Sequence, residues 1–167
     1  MKEKRPRLKI GYTKADILVE SCCWICLIIV WLLFFMRYAG LPDIVPVHYN
    51  AAGEIDSFGN KEILWILPLT STLFCILLSL INFFPHLFNY PETITPENAY
   101  RQYRNAIQMV RYLKLFLILL FGYIFYQASS YLPDGTSNGL GAWFIFVCIL
   151  PIFVCIAWFY VRAHALR

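Results

Sequence analysis

The sequence predicts an all-α membrane protein: four transmembrane helices with a short extended or hairpin outer loop between helices 1 and 2. Three observations predict it. Of 167 residues 60% are hydrophobic and 14% charged, with a mean hydropathy of +0.60; an ordinary soluble domain is about 25% charged. Four stretches, residues 17–39, 63–84, 107–131 and 141–161, each approach the roughly 20 apolar residues that cross a bilayer. Lys and Arg gather on alternate connections, as the positive-inside rule requires.

The chain divides into a basic tail (residues 1–16), a module of two spans around a structured outer loop (residues 17–84, loop 40–61), and a second helical hairpin (residues 85–167). The tail carries Lys2, Lys4, Arg5, Arg7, Lys9 and Lys14, and is expected against anionic headgroups. The first apolar run is too long for a cleavable signal peptide and has no small-x-small site before the loop. Glu20 stands within a turn of the span boundary, where pairing with Lys14 or a headgroup accounts for it. Cys22, Cys23 and Cys26 share the first span, but no Cys-rich partner stands at their depth. All six cysteines fall within spans, so no disulfide framework is expected.

Pro68 in span two and Pro151 in span four each free a carbonyl, at Leu64 and Val147, and predict kinks. In the second connection Thr95, Pro96 and Glu97 read as N-cap, first helical position and first turn. A pre-helix over residues 96–106 then continues into span three, carrying Arg101 and Arg104 with Arg111 and Lys114 beyond. The third connection, LPDGTSNG, has no basic residue. "LPD" occurs both there and at residues 41–43. Both termini are therefore expected in the cytoplasm, of a bacterial inner membrane on the resemblance drawn below. Tyr38, Trp65, Tyr131 and Trp143 are expected at the outer boundary, and Tyr90, Tyr103 and Tyr160 at the inner one. The net charge of +4 flanks the spans instead of forming a patch, so nucleic acid is rejected as a partner. The lipid bilayer is the first partner.

The outer stretch LPDIVPVHYNAAGEIDSFGNK is the polar exception. Pro42 and Pro46 keep the chain extended. VPVHYN alternates like a strand, NAAG closes a turn with Gly53 in the left-handed region, and EIDSFG returns to Gly59. A lone hairpin is marginal in water, so helix ends or the shorter outer turn must hold it. His48, Asn50, Glu54, Asp56, Asn60 and Lys61 form its polar set. Four readings stay open. His48 with Asp56 or Glu54 is a sparse ligand set for a metal. His48 as a base lacks a motif around Ser57. An acidic rim of Asp43, Glu54, Asp56 and Glu62 suits an external peptide, a lipid headgroup or a membrane-protein partner. The same groups could simply bond to one another and hold the loop's shape. No cofactor is indicated.

The pattern LP-x-x-VPVHYN-x-x-GE-x-D-x-FG-x-K resembles the signature of a family of small bacterial integral membrane proteins of unassigned function. Its motif falls here on Pro42, Pro46, His48, Asn50, Gly53, Asp56, Gly59 and Lys61. The segment YPETITPENAYRQYRNAIQMVRYLK resembles family members as well. The same module occurs in the immunity protein that shields a sporulating bacterium from its own sporulation-delaying peptide. That protein has a second module with a Gly-Arg-Thr-type motif, which this chain lacks. The resemblance implies a non-enzymatic, immunity-like protein whose outer loop senses a toxic peptide. The alternative is a small transporter or transporter subunit, with a membrane metalloenzyme behind both. Against transport, the deep polar set of Thr70, Ser71, Thr72, Ser79 and Gln127 holds no mid-span ion pair.

Overall fold

The computed structural model describes residues 5–130 and 139–167. Expectations for Lys2, Lys4, Tyr131 and the LPDGTSN stretch, with its second LPD, lie outside the described residues.

Among the described residues four helices are long and apolar enough to cross a membrane. Helix α1 runs Lys14–Tyr38, and strands β1 (Ile44–Tyr49) and β2 (Ile55–Asn60) follow as an antiparallel hairpin. A 3-10 turn (Lys61–Trp65) leads into α2 (Ile66–Ile81). Helix α3 runs Ala99–Ser129, and a π-helical turn (Ile145–Ile149) leads into α4 (Leu150–Ala165). At 1.5 Å per residue the 25 residues of α1 exceed a hydrocarbon core of about 30 Å.

Local chemistry sets the boundaries. Helix α1 begins at Lys14 because Thr13 and Asp16 form a capping box: Thr13 N–H donates to Asp16 Oδ2 (2.8 Å), and Asp16 N–H to Thr13 Oγ1 (3.3 Å). Both expected kinks are changes of helix type. Pro68 lies in the first turn of α2, just past the 3-10 turn, and Pro151 in the first turn of α4, just past the π turn. Each proline lacks the N–H that would bond four residues back, so the regular helix restarts there. Helix α3 starts at Ala99 and not at Pro96. Asn98 explains the delay: its Oδ1 accepts from Thr95 N–H (2.9 Å) and its Nδ2 donates to Thr93 O (3.0 Å), holding a turn before the helix.

Helix α3 is central and packs on α1, α2 and α4. The contacts define two ends. At the hairpin end, Leu140 N–H donates to Gly53 O (2.7 Å), joining the first connection to the third. At the terminal end, Arg5 reaches Phe88 O (2.6 Å), and Glu92 pairs with His164 and, at 2.9 Å, with Arg167. The two termini and the second connection thus gather together, and α1 runs parallel to α3. Buried amides clasp α4 to α3: Gln102 Nε2 donates to Ala163 O (2.7 Å) and Asn105 Nδ2 to Phe159 O (2.9 Å). Both accepting carbonyls lie in the last two turns of α4.

The core is layered along the bundle. Phe34, Leu41, Val45, Leu64, Phe125 and Ala128 fill the hairpin end. Cys23, Leu27, Val30, Cys75 and Ile118 fill the middle, and Ile94, Ala99 and Tyr103 the terminal end. Large apolar side chains such as Ile28, Phe35, Leu73 and Trp158 stay exposed around the waist, a surface that suits lipid.

Candidate functional site

The hairpin sits on the helical core through β1. Val45 and Pro46 are buried, and Val45 packs with Phe34, Leu64 and Phe125. Beneath it, Phe34 stacks on Tyr38 (4.9 Å) and meets Trp65 edge-on (4.5 Å). Burial leaves the Tyr49 phenol pushed up to about 12, with no hydrogen-bond partner among the described residues.

Gly53 is at φ 80°, the left-handed conformation the turn requires. A Cβ there would meet Gly141 O at 2.7 Å, so the position needs glycine for space as well. The contacting segment is itself held. Gln127 Nε2 donates to Gly139 O (2.6 Å) and Tyr123 OH to Leu140 O (2.8 Å). Gln127, which sequence reasoning counted as a deep polar group, is a clamp between α3 and the third connection. The hairpin is held by helix ends and by the neighbouring connection, as its marginal size demands.

The motif residues divide sharply. Asn50 Oδ1 accepts from Ala52 N–H (2.9 Å) and Glu54 N–H (3.0 Å), and its Nδ2 donates to Glu54 Oε2 (2.9 Å). It builds the turn. Lys61 donates to Leu41 O (3.2 Å), pairs with Asp43 (3.0 Å) and lies 6.0 Å from the Tyr38 ring centre. It ties the far arm to the end of α1. Gly59 faces Val47, whose side chain leaves little room for a Cβ (3.1 Å). His48 is different. Its Nδ1 meets Asp56 Oδ1 at 2.6 Å, while the two side chains stay 69% and 40% exposed. Ser57, across the ladder from His48, makes no side-chain hydrogen bond among the described residues.

A second polar assembly lies on the other side of the apolar middle layer. Asp16 Oδ1 accepts from Arg111 Nη1 at 2.8 Å, with the two side chains only 4% and 6% exposed. Glu20 accepts from Lys114, whose ammonium is fully buried and also donates to Ser79 Oγ (2.8 Å). This corrects one expectation: Glu20 pairs across to α3 and not with Lys14. The ion pairs lie toward the terminal end of the bundle and not at mid-span. The reason is geometric. Asp16 and Glu20 are four apart on α1, Arg111 and Lys114 three apart on α3, and each pair therefore shares a helix face. The parallel packing of α1 and α3 brings the two faces together in register. That complementary spacing was the available signal.

Fold and hairpin define a class, a multi-pass membrane protein with a docked two-strand hairpin between its first two helices. Residues 25–72 match a family described as a domain of unknown function (DUF1648). The match covers most of α1, the whole hairpin and the first part of α2. An uncharacterized protein of Archaeoglobus fulgidus is similar, 31% identical over 103 residues, with 57% of this chain and 56% of that protein covered. The match thus spans little more than half of the relative's length. No solved structure matches.

Proposed function

We propose that this chain is a non-enzymatic, immunity-like membrane protein whose hairpin, facing outward, receives a cationic peptide. One observation carries the reading: His48 and Asp56 stand exposed together on a hairpin whose other polar motif groups are committed to holding its shape. A rigid platform lowers the ordering cost of binding. Asp43, Glu54 and Glu62 place acidic groups around it, which favours encounter with a cationic partner. In this reading the termini face the cytoplasm, as the Lys and Arg distribution requires.

The test has two arms. In a background free of native cysteines, Ala51→Cys labels with an impermeant thiol reagent in intact cells and Glu97→Cys, also at an exposed position, does not. In a host challenged with envelope-active cationic peptides, the protein protects, and His48→Ala abolishes protection at unchanged membrane abundance. Labelling of the Glu97 position alone, or protection that survives His48→Ala, overturns the reading.

A second reading, a small transporter or a subunit of one, is favoured by the buried Glu20–Lys114 and Asp16–Arg111 pairs. Ionisable groups inside a bundle mark substrate or proton pathways by default. Solute uptake lost in Glu20→Gln while His48→Ala transports normally would select it.

A further inference from the structure

The terminal end contains a cavity of about 360 Å³ that the hairpin reading does not use. Residues 5–13 cross over it as a strap. One end of the strap is pinned by Arg5 on Phe88 O (2.6 Å) and by Tyr103 OH donating to Pro6 O (3.0 Å). The other is pinned by Tyr12, whose ring centre lies 4.4 Å from the Arg111 guanidinium, and by the Thr13 capping box. Between the pins, Leu8 and Ile10 roof the cavity, with Phe83 and Ile107 as walls.

Two polar side chains line the cavity with bonding capacity unused. Asn82 is 9% exposed, yet neither its Nδ2 nor its Oδ1 has a hydrogen-bond partner among the described residues. A buried amide left open at both ends is costly and calls for an occupant. Arg111 gives Nη1 to Asp16, while its buried Nε lies 3.9 Å from Glu20 Oε1, too far for a hydrogen bond, and makes none among the described residues. Lys9 adds a cation at the lining. Asp16 and Glu20 balance Arg111 and Lys114, so the Lys9 ammonium is the positive charge left over at the lining.

These groups suit an anion of particular shape. Arg111 Nε, Asn82 Nδ2 and the Lys9 ammonium are donors for oxyanion oxygens. Asn82 Oδ1 needs a donor, which a hydroxyl beside the anion supplies. The apolar roof and walls suit a short carbon body, and the volume lies in the lower part of the range for small-molecule sites, about 300–1,000 Å³. We propose that the cavity beneath residues 5–13 binds a hydroxylated phosphate ester, with Arg111 and Asn82 gripping the ester and Lys9 closing over its charge. The site stands independently of what the hairpin recognises. Its ligand is either a soluble glycerol phosphate or the headgroup of an anionic lipid, which share this chemistry.

The full-length protein in a neutral detergent tests it, titrated with glycerol 3-phosphate, short-chain phosphatidylglycerol and short-chain phosphatidylcholine. Saturable binding of the first two assigns the phosphate ester itself. Binding of phosphatidylglycerol alone assigns the lipid headgroup. Asn82→Leu weakens binding at least about tenfold, and its ligand-free melting point does not fall, because the change removes an unsatisfied amide. Lys9→Glu, at an exposed position, weakens binding without altering the fold. The proposal is overturned if neither phosphate probe binds, if phosphatidylcholine binds as well as phosphatidylglycerol, or if Asn82→Leu binds with undiminished affinity.

Discussion

The hairpin end and the terminal end of this bundle both carry charged side chains but satisfy them differently. In the hairpin, Asn50 and Lys61 bond largely to backbone atoms, and the charges that remain face outward. At the terminal end, Asp16, Glu20, Arg111 and Lys114 bond chiefly to one another inside the helices. Solvent explains the contrast. A loop beyond the helix ends can leave a charge in water, so its polar groups are free to shape the chain. A charge between helices has no water to return to and must find an opposite charge. Removing a group should therefore have a small, local effect at one end and a large, global one at the other.

The largest expected effect is at Lys114. Lys114→Met leaves the part-buried Glu20 with only the looser contact to Arg111 Nε (3.9 Å), and breaking a buried pair costs up to about 3–5 kcal/mol. Adding Glu20→Gln should restore much of the loss, because no unpaired charge then remains. Thermal unfolding in detergent reads both. A single variant within about 1 kcal/mol of the parent would show water reaching Glu20, and the contrast between the ends would fail.

Next comes the turn. Gly53→Val must adopt a positive φ that β-branched residues resist, and its Cβ would strike Gly141. The cost is about 3 kcal/mol, the upper end for such backbone strain. Ala52→Val, one residue earlier and exposed, should stay within about 0.5 kcal/mol. Equal tolerance at the two positions would mean that the hairpin does not dock on the third connection.

Smaller still is the difference between Lys61 and His48. Lys61→Ala removes a hydrogen bond to Leu41 O and an exposed pair with Asp43, together about 1 kcal/mol. His48→Ala removes only a surface pair, about 0.5 kcal/mol or less. If His48→Ala unfolds the hairpin more than Lys61→Ala does, His48 is a strut and the recognition surface lies elsewhere.

The apolar runs made the helices legible, because any span of that length and hydropathy must be helical in lipid. The hairpin was legible too: prolines, alternation and one glycine at the turn left few other conformations. Within the loop, residue types could not separate struts from presented groups. Asn50 and His48 look equally polar in sequence, and only the fold directs one at backbone N–H groups and leaves the other exposed. The buried charges were harder, because Arg111 and Lys114 also satisfy the topology rule and so already had an explanation. Asn82 gave no signal at all. A lone amide at the end of a span looks like a boundary residue until the strap is seen to cover it.

The smallest effect belongs to a clamp at the terminal end that behaves as a surface group does, and it marks where the buried regime stops. Glu92, in the second connection, accepts from both His164 and Arg167 and so ties the end of α4 to the entry of α3. Desolvation pushes its carboxyl up, but the hydrogen bonds and charges of Arg167 and His164 outweigh this and hold it below its ordinary value of 4.5. The sign follows. A depressed carboxylate contributes fully above its unfolded value and loses that contribution as pH falls through the lower folded one. A spin label at Ala165, in a background free of native cysteines, should be immobile near neutrality and gain mobility only as pH drops below about 4.5. Glu92→Gln should show the mobile spectrum at every pH, with the melting point of the bundle unchanged. The packing of α1 on α3 should not change in the same window, since the buried layers between those helices do not involve Glu92. A loss of α1–α3 packing concurrent with the label's release would erase the distinction between buried network and surface clamp.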